Sequence, residues 1–280
     1  MSRQKEDINR LFVINKPIGV SSNYFLRSIK KKYGVKKAGF SGTLDPFACG
    51  VLVCAFGGYT KLFNYFCNSI KKYRATLWLG VSSLSLDIEN ISSIKIVSAL
   101  NEDVIIENLL NLKGDIAYTP PIFSAKKIDG KRAYDLARSG CEVRLKESIM
   151  SIFDIRFISY NHPFITFEVD VSKGTYVRSI GDILASRLGF SGVLSHLERL
   201  GEGRFYFDDE KSLDPLDYLD ITSNDYIGSK SDIQNGKIIN IELLSIKEDG
   251  VYLIKFDDFF SIIQIDNKSV SYLLNKIKLQ

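Results

Sequence analysis

The segment Gly39-Phe40-Ser41-Gly42-Thr43-Leu44-Asp45-Pro46-Phe47-Ala48-Cys49-Gly50-Val51-Leu52-Val53 constrains this chain more than any other. It sets a single carboxylate, Asp45, into a turn of small residues and a proline, and an apolar run follows directly. Glycine reaches backbone conformations closed to other residues and proline fixes its own φ, so Gly42 and Pro46 specify a tight turn. Val51 to Phe56 reads as a short buried strand. A carboxylate at the mouth of such a turn is held still and left reachable, which a nucleophile or an acid–base group requires. The plainer reading, Asp45 as the cap of a turn, fits the same spacing.

The remaining composition narrows the chemistry. A chain of 280 residues suits one large domain plus a small one, and 45% hydrophobic content suits an ordinary soluble core. No apolar run approaches the ~20 residues of a membrane span. The charged start, Met1 to Asp7, lacks the apolar core of a signal peptide. Cys49, Cys54, Cys67 and Cys141 show no paired metal-ligand spacing, which points to a reduced, cytoplasmic protein. His162 and His196 are the only histidines. A histidine-ligated zinc site and a Ser-His-Asp triad are therefore disfavoured, and no metal is expected. The chemistry falls to carboxylate, tyrosine, lysine or arginine. Gly57-Gly58-Tyr59-Thr60-Lys61 is too short for a Walker A loop and reads as a strand-to-helix turn. Net charge is only +4, but the basic residues run in groups. Lys30, Lys31, Lys32, Lys36 and Lys37 form one, Lys71, Lys72 and Arg74 a second, and Lys126, Lys127, Lys131 and Arg132 a third. Any one run is solvated surface; three beside separate motifs suggest a phosphate-binding face.

Periodicity predicts strands over 11–15, 72–80, 148–160 and 164–171, the last two around an Asn161-His162-Pro163 turn. It predicts helices over 23–33, 60–67, 102–112, 131–139 and 177–188. Ile165, Phe167, Val169 and Val171 share one strand face, and Val177, Ile180, Leu184 and Leu188 one helix face. The Ser-rich stretch 82–97 carries no clear period. Strands and helices mixed without regular βαβ repetition indicate an α+β fold. Polar residues between about 209 and 232 suggest a boundary, and 233–280 reads as a small β-rich module.

Several blocks in order resemble the pseudouridine synthases of the TruB type, which modify uridine-55 in the T loop of tRNA. The Asp45 segment resembles their G-H-T-G-T-L-D-P-x-A-x-G-V-L signature. Lys16-Pro17-Ile18-Gly19-Val20-Ser21-Ser22 resembles K-P-x-G-x-[ST]-S, and Tyr73-Arg74-Ala75, after Lys72, resembles the Y-x-A part of the K-x-Y-x-A strand. The run from Pro120 to Tyr134 resembles P-P-x-[YF]-S-A-x-K-x-x-G-x-x-x-Y. Ser172-Lys173-Gly174-Thr175-Tyr176-Val177-Arg178-Ser179 resembles S-x-G-T-Y-[IV]-R. The likeness covers about residues 10 to 207.

The resemblance implies a pseudouridine synthase fold, with a central mixed, largely antiparallel sheet flanked by helices. The catalytic domain would span 1–212, and 233–280 would be a PUA-like RNA-binding module, where the match is weak. It implies a cofactor-free isomerisation of tRNA uridine in which Asp45 is the nucleophile, after the base is flipped from the T loop. Arg178 matches the arginine paired with that aspartate. An aspartate in water is already ionised at pH 7, so the arginine's task is to aim it and to oppose the effect of burial. Tyr73 matches the tyrosine that stacks on the target base. Tyr176 and Leu197 match the uracil pocket, and Lys16 either supports the turn or meets phosphate. The implied partner is the T arm of tRNA, bound by a monomer with no protein partner and no membrane.

Three departures stand out. Phe40 replaces the usual histidine and is expected to act as an apolar wedge. Ser83-Leu84-Ser85-Leu86-Asp87 stands where the family reads T-D-T-x-D, and Ser148 replaces an arginine. They leave room for a non-catalytic tRNA-binding or tRNA-folding protein of the same fold. A nucleoside hydrolase would need a second acid in a comparable block, and none is present.

Overall fold

The computed structural model describes residues 8–66, 70–123, 127–128, 131–132 and 145–279. The chain runs β1 (Arg10–Lys16), α1 (Ser22–Tyr33), β2 (Ala38–Phe40), β3 (Cys49–Phe56), a 3₁₀ segment Gly57–Asn64, β4 (Lys71–Leu79), β5 (Val81–Ser83) and β6 (Ile91–Ile94). Next come α2 (Glu102–Leu110), β7 (Gly114–Tyr118), the two-residue strands β8 (Lys127–Ile128) and β9 (Lys131–Arg132), β10 (Ser148–Asn161), β11 (Phe164–Val171), α3 (Val177–Arg187) and β12 (Gly192–Glu202). The last part holds β13 (Thr222–Ser223), α4 (Lys230–Gln234), β14 (Gly250–Lys255), β15 (Phe259–Asp266) and β16 (Ser269–Lys278).

The central sheet has the order β1-β3-β12-β4-β11-β10-β7, with β2 paired to β3. Only the β3–β12 pair is parallel among these. This is the mixed, largely antiparallel α+β sheet expected. Alternation explains its inner face. Tyr73, Ala75, Leu77 and Leu79 of β4, and Ile165, Phe167, Val169 and Val171 of β11, are all buried. Helix α3 lays Val177, Ile180 and Leu184 on that face, and α2 adds Ile105 and Leu109.

Strand β1 is buried on both sides, which is why it reads as a continuous apolar run. Phe12 and Ile14 meet Ile29 of α1. Leu11 and Val13 share a second core with Val51 and Val53 and with Leu253, Phe260, Ile262 and Ile277 of the C-terminal sheet. That sheet has the order β13-β14-β15-β16, so its first strand lies inside the polar stretch read as a boundary.

Local differences from expectation have physical causes. The segment after β3 is 3₁₀ rather than α, because its glycine-led start and aromatic side chains give little α propensity. The Ser-rich stretch pairs β5 with β6 as an irregular hairpin. Strand β12 had no expectation: its bulges after Leu194 and Arg199 break the period that would have revealed it. Of the helix expected over 131–139, Lys131 and Arg132 form β9 instead, and 133–139 lie outside the described residues, as do Lys126, Cys67 and Cys141.

Candidate active site

The Asp45 turn is pinned from below by the first motif block. Ser21 caps α1 by accepting from Tyr24 N–H. The next residue, Ser22, accepts from Leu44 N–H at 3.0 Å and donates to Leu44 C=O at 3.0 Å. Gly19 N–H donates to Pro46 C=O at 2.8 Å, and Ala48 N–H to Asp45 C=O at 3.1 Å. Lys16 is fully buried, and its ammonium donates to the carbonyls of Val20 (2.7 Å), Pro17 (2.9 Å) and Pro46 (3.4 Å). Of the two roles considered for Lys16, the structure builds the supporting one: no face of it is open to phosphate. Burial pulls its pKa down to about 8.

A second set of buried charges holds the other side. Arg199 of β12 donates from Nε to Val51 C=O (2.6 Å) and from Nη2 to Gly42 C=O (3.0 Å). Ser41 Oγ donates to Glu202 Oε1 at 2.6 Å. Gly50, at φ +103°, lets β3 approach β12 so closely that a Cβ would stand 2.3 Å from Arg199 C=O. Gly42, at φ +61°, meets Lys71 Nζ in the same way at 2.4 Å. Gly50 is therefore required by φ and by backbone contact, and Gly42 by φ, since a lysine tip can move aside.

Above these supports opens a pocket of about 300 Å³. Its walls include Gly42, Asp45, Lys71, Tyr73, Lys173, Tyr176, Arg178 and Leu197. Asp45, Tyr73, Tyr176, Arg178 and Leu197, expected from different parts of the chain, thus come together. The Asp45 side chain is 37% exposed, whereas Arg178 is 3% exposed. The carboxylate is open to a ligand and its guanidinium partner is not.

Arg178 Nε lies 3.0 Å from Asp45 Oδ2. This is ion-pair contact off the N–H axis, since Nε–H finds no acceptor in line. The other side of the guanidinium is fully engaged. Nη1 donates to Ser85 C=O (2.5 Å) and to Asp87 Oδ2 (3.2 Å), and Nη2 to Phe123 C=O (2.9 Å). Arg178 sits in the first turn of α3, where the helix dipole disfavours a cation. Two carboxylates and two carbonyls offset that cost. Asp87 is buried, and desolvation raises its pKa, opposed by the Ser85 hydroxyl and by Arg178. Burial likewise raises the Tyr73 phenol, against the nearby Arg199 guanidinium. Tyr73 therefore keeps its proton at neutral pH and presents a neutral aromatic face.

Phe40 is not in the pocket. In the β2–β3 register it pairs with Cys54, and it packs half-buried with Phe12, Ile14 and Ile29. Alternation turns its ring toward α1. The second basic run is partly paired on the protein itself. Lys72 pairs with Asp170 at 3.5 Å and Arg74 with Glu168 at 2.6 Å, while Lys71 is a pocket wall near Glu202. Lys30, Lys31 and Lys32 fill the last turn of α1, where the dipole favours cations.

Asp87, Ser22, Arg199 and Glu202 were missed as site residues. Asp87 is the acid retained in the departing Ser83–Asp87 block. Arg199 gave no usable local signal, because the bulges of β12 break the alternation that would have marked its inward position. Among the described residues, no three or more of His, Cys, Asp and Glu stand together as metal ligands.

The comparisons agree with this geometry. A family model described as TruB family pseudouridylate synthase (N terminal domain) matches residues 30–177. The chain is 54% identical to a protein named tRNA pseudouridine synthase B from a Nitratiruptor species, over 96% of this chain and 98% of that one. It is 50% identical to one of the same name from a Sulfurovum species, over 96% and 98%. The fold is also similar to the crystal structure of a Cbf5-Nop10-Gar1 complex, with TM-score 0.64 and 19% identity, over 98% of this chain and 84% of that one.

Proposed function

The chain belongs to the TruB family of pseudouridylate synthases, and on that premise we propose that it isomerises uridine-55 in the T loop of tRNA to pseudouridine. The observation that carries the proposal is an exposed carboxylate, Asp45, 3.0 Å from a buried guanidinium at the wall of a pocket. Its relatives' names give tRNA as the substrate class.

The reaction breaks the C1′–N1 bond, turns the uracil and joins C1′ to C5. The proton on C5 is lost and N1 gains one, so the product is an isomer. Asp45 acts as nucleophile, at ribose C1′ or at the uracil ring. Arg178 holds the carboxylate's direction, and Asp87 with the Ser85 and Phe123 carbonyls holds Arg178. Tyr73 stacks on the flipped base, against Leu197 and Tyr176 on the other walls. Neither a cofactor nor a metal is required by these steps. We read the enzyme as acting as a monomer. Among the described residues no helix is long and apolar enough to cross a membrane, and the reading places the enzyme with its tRNA in the cytoplasm. The C-terminal sheet, fused through a shared core to β1 and β3, is read as an RNA-binding module.

The test is incubation with unmodified tRNA, followed by chemical mapping of pseudouridine. Product at position 55 is expected. Tight binding with no product would indicate a tRNA-folding protein, and free uracil a hydrolase.

A further inference from the structure

Lys71 is a charged pocket wall that the mechanism above leaves unused. It precedes Tyr73 by two residues on β4, so both side chains stand on the same face. The residue is buried to 8% exposure, and Nζ lies against Gly42 in the catalytic turn. Its counterion is Glu202, at 3.7 Å, a separation too long for a hydrogen bond. Glu202 is already engaged by Ser41 at 2.6 Å and faces Arg199 at 3.6 Å. The Lys71 ammonium thus lines the pocket with donors left for a ligand.

We propose that Lys71 is a catalytic residue whose ammonium hydrogen-bonds a carbonyl oxygen of the flipped uracil and stabilises the charge that gathers there as the glycosidic bond breaks. This rests on the pseudouridine synthase reading. When C1′–N1 breaks, its electron pair stays with uracil and spreads over N1 and the two carbonyl oxygens. When C5 bonds to C1′, that pair is used and the C5 proton departs. A cation in a dry wall stabilises the charged interval more than the bound substrate, which is what raises a rate. Glu202 and Arg199 of β12, Lys173 of the loop before α3, Asp45 of the turn and Tyr73 are the charged and titratable groups that face it. Burial lowers its pKa to about 8, with Glu202 opposing and Arg199 and Lys173 adding to the shift.

The experiment compares wild type, Lys71→Met and Lys71→Arg in tRNA binding, in single-turnover rate, and in kcat/KM from about pH 6.5 to about pH 9.5, a span that brackets the lysine's titration. Lys71→Met is expected to lose about 100-fold in the chemical step, with tRNA affinity within about threefold of wild type. Wild-type kcat/KM should fall as pH rises through about 8, because the charged form is the active one. That alkaline limb should be absent from Lys71→Met and shifted upward in Lys71→Arg. A limb that persists in Lys71→Met belongs to another group, such as Lys16, and overturns the proposal. So does a chemical step within about threefold of wild type, or a loss confined to tRNA affinity. Wild-type protein that makes no pseudouridine contradicts the functional reading instead.

Discussion

Asp87 holds Arg178 from behind: its Oδ2 lies 3.2 Å from Nη1, and the two side chains are 4% and 3% exposed. Arg178 is thereby fixed between a buried carboxylate and the open one at Asp45, so its direction does not depend on substrate. Asp87→Asn keeps the volume and removes the charge. Losing one partner of a buried pair costs about 3 kcal/mol. The chemical step should fall about 10- to 100-fold, with tRNA affinity little changed. Thermal melting and single-turnover assays check both. A wild-type rate would mean that the Ser85 and Phe123 carbonyls and Asp45 orient Arg178 without the Asp87 charge.

Ser22 ties helix α1 to the catalytic turn through both polar backbone atoms of Leu44. Ser22→Ala leaves a buried N–H and C=O unpaired, at about 1–3 kcal/mol for such a group. Denaturant unfolding should show that loss, and the turnover rate should fall because the Asp45 turn is no longer pinned. Unchanged stability would remove Ser22 from the account.

Phe40 packs on the α1 cluster and stands outside the pocket. Full Phe→Ala truncations in cores cost about 3–5 kcal/mol, so a half-buried ring should lose about 2 kcal/mol. Below its melting temperature, Phe40→Ala should isomerise folded tRNA and a loosened T-loop hairpin in the same ratio as wild type. A defect on folded tRNA alone would restore the wedge.

Lys16 gives a pH signature. Its folded pKa is pulled to about 8 by burial, below the ~10.4 of a free lysine. Between these values the unfolded chain binds the extra proton, so stability rises with pH. Measured against Lys16→Met, wild type should gain stability from about pH 8 to about pH 10. A flat difference would mean that the buried ammonium keeps an ordinary pKa.

The sequence revealed what periodicity and turn chemistry control. The inner faces of β4, β11 and α3 were legible because each alternates or repeats without interruption, and Gly42 and Pro46 announced the turn. β12 was not legible, because two bulges break its period while placing Leu197 in the wall and Arg199 beneath Gly42. Asp87 was not recognised because its role comes from a contact across the fold. Arg178 is 91 residues from Asp87, and no local pattern reports such a distance. The packing of Phe40 on the α1 side was not legible, because its place in the motif said nothing of which way a three-residue strand turns its ring.

The most direct test of the central claim is the product formed by Asp45→Asn on unmodified tRNA under single-turnover conditions. The substitution is nearly isosteric, so the turn and pocket should persist and tRNA should bind within a few-fold of wild type. An amide cannot serve as the nucleophile. The account predicts no pseudouridine at position 55 above background. Pseudouridine formed near the wild-type rate would contradict it.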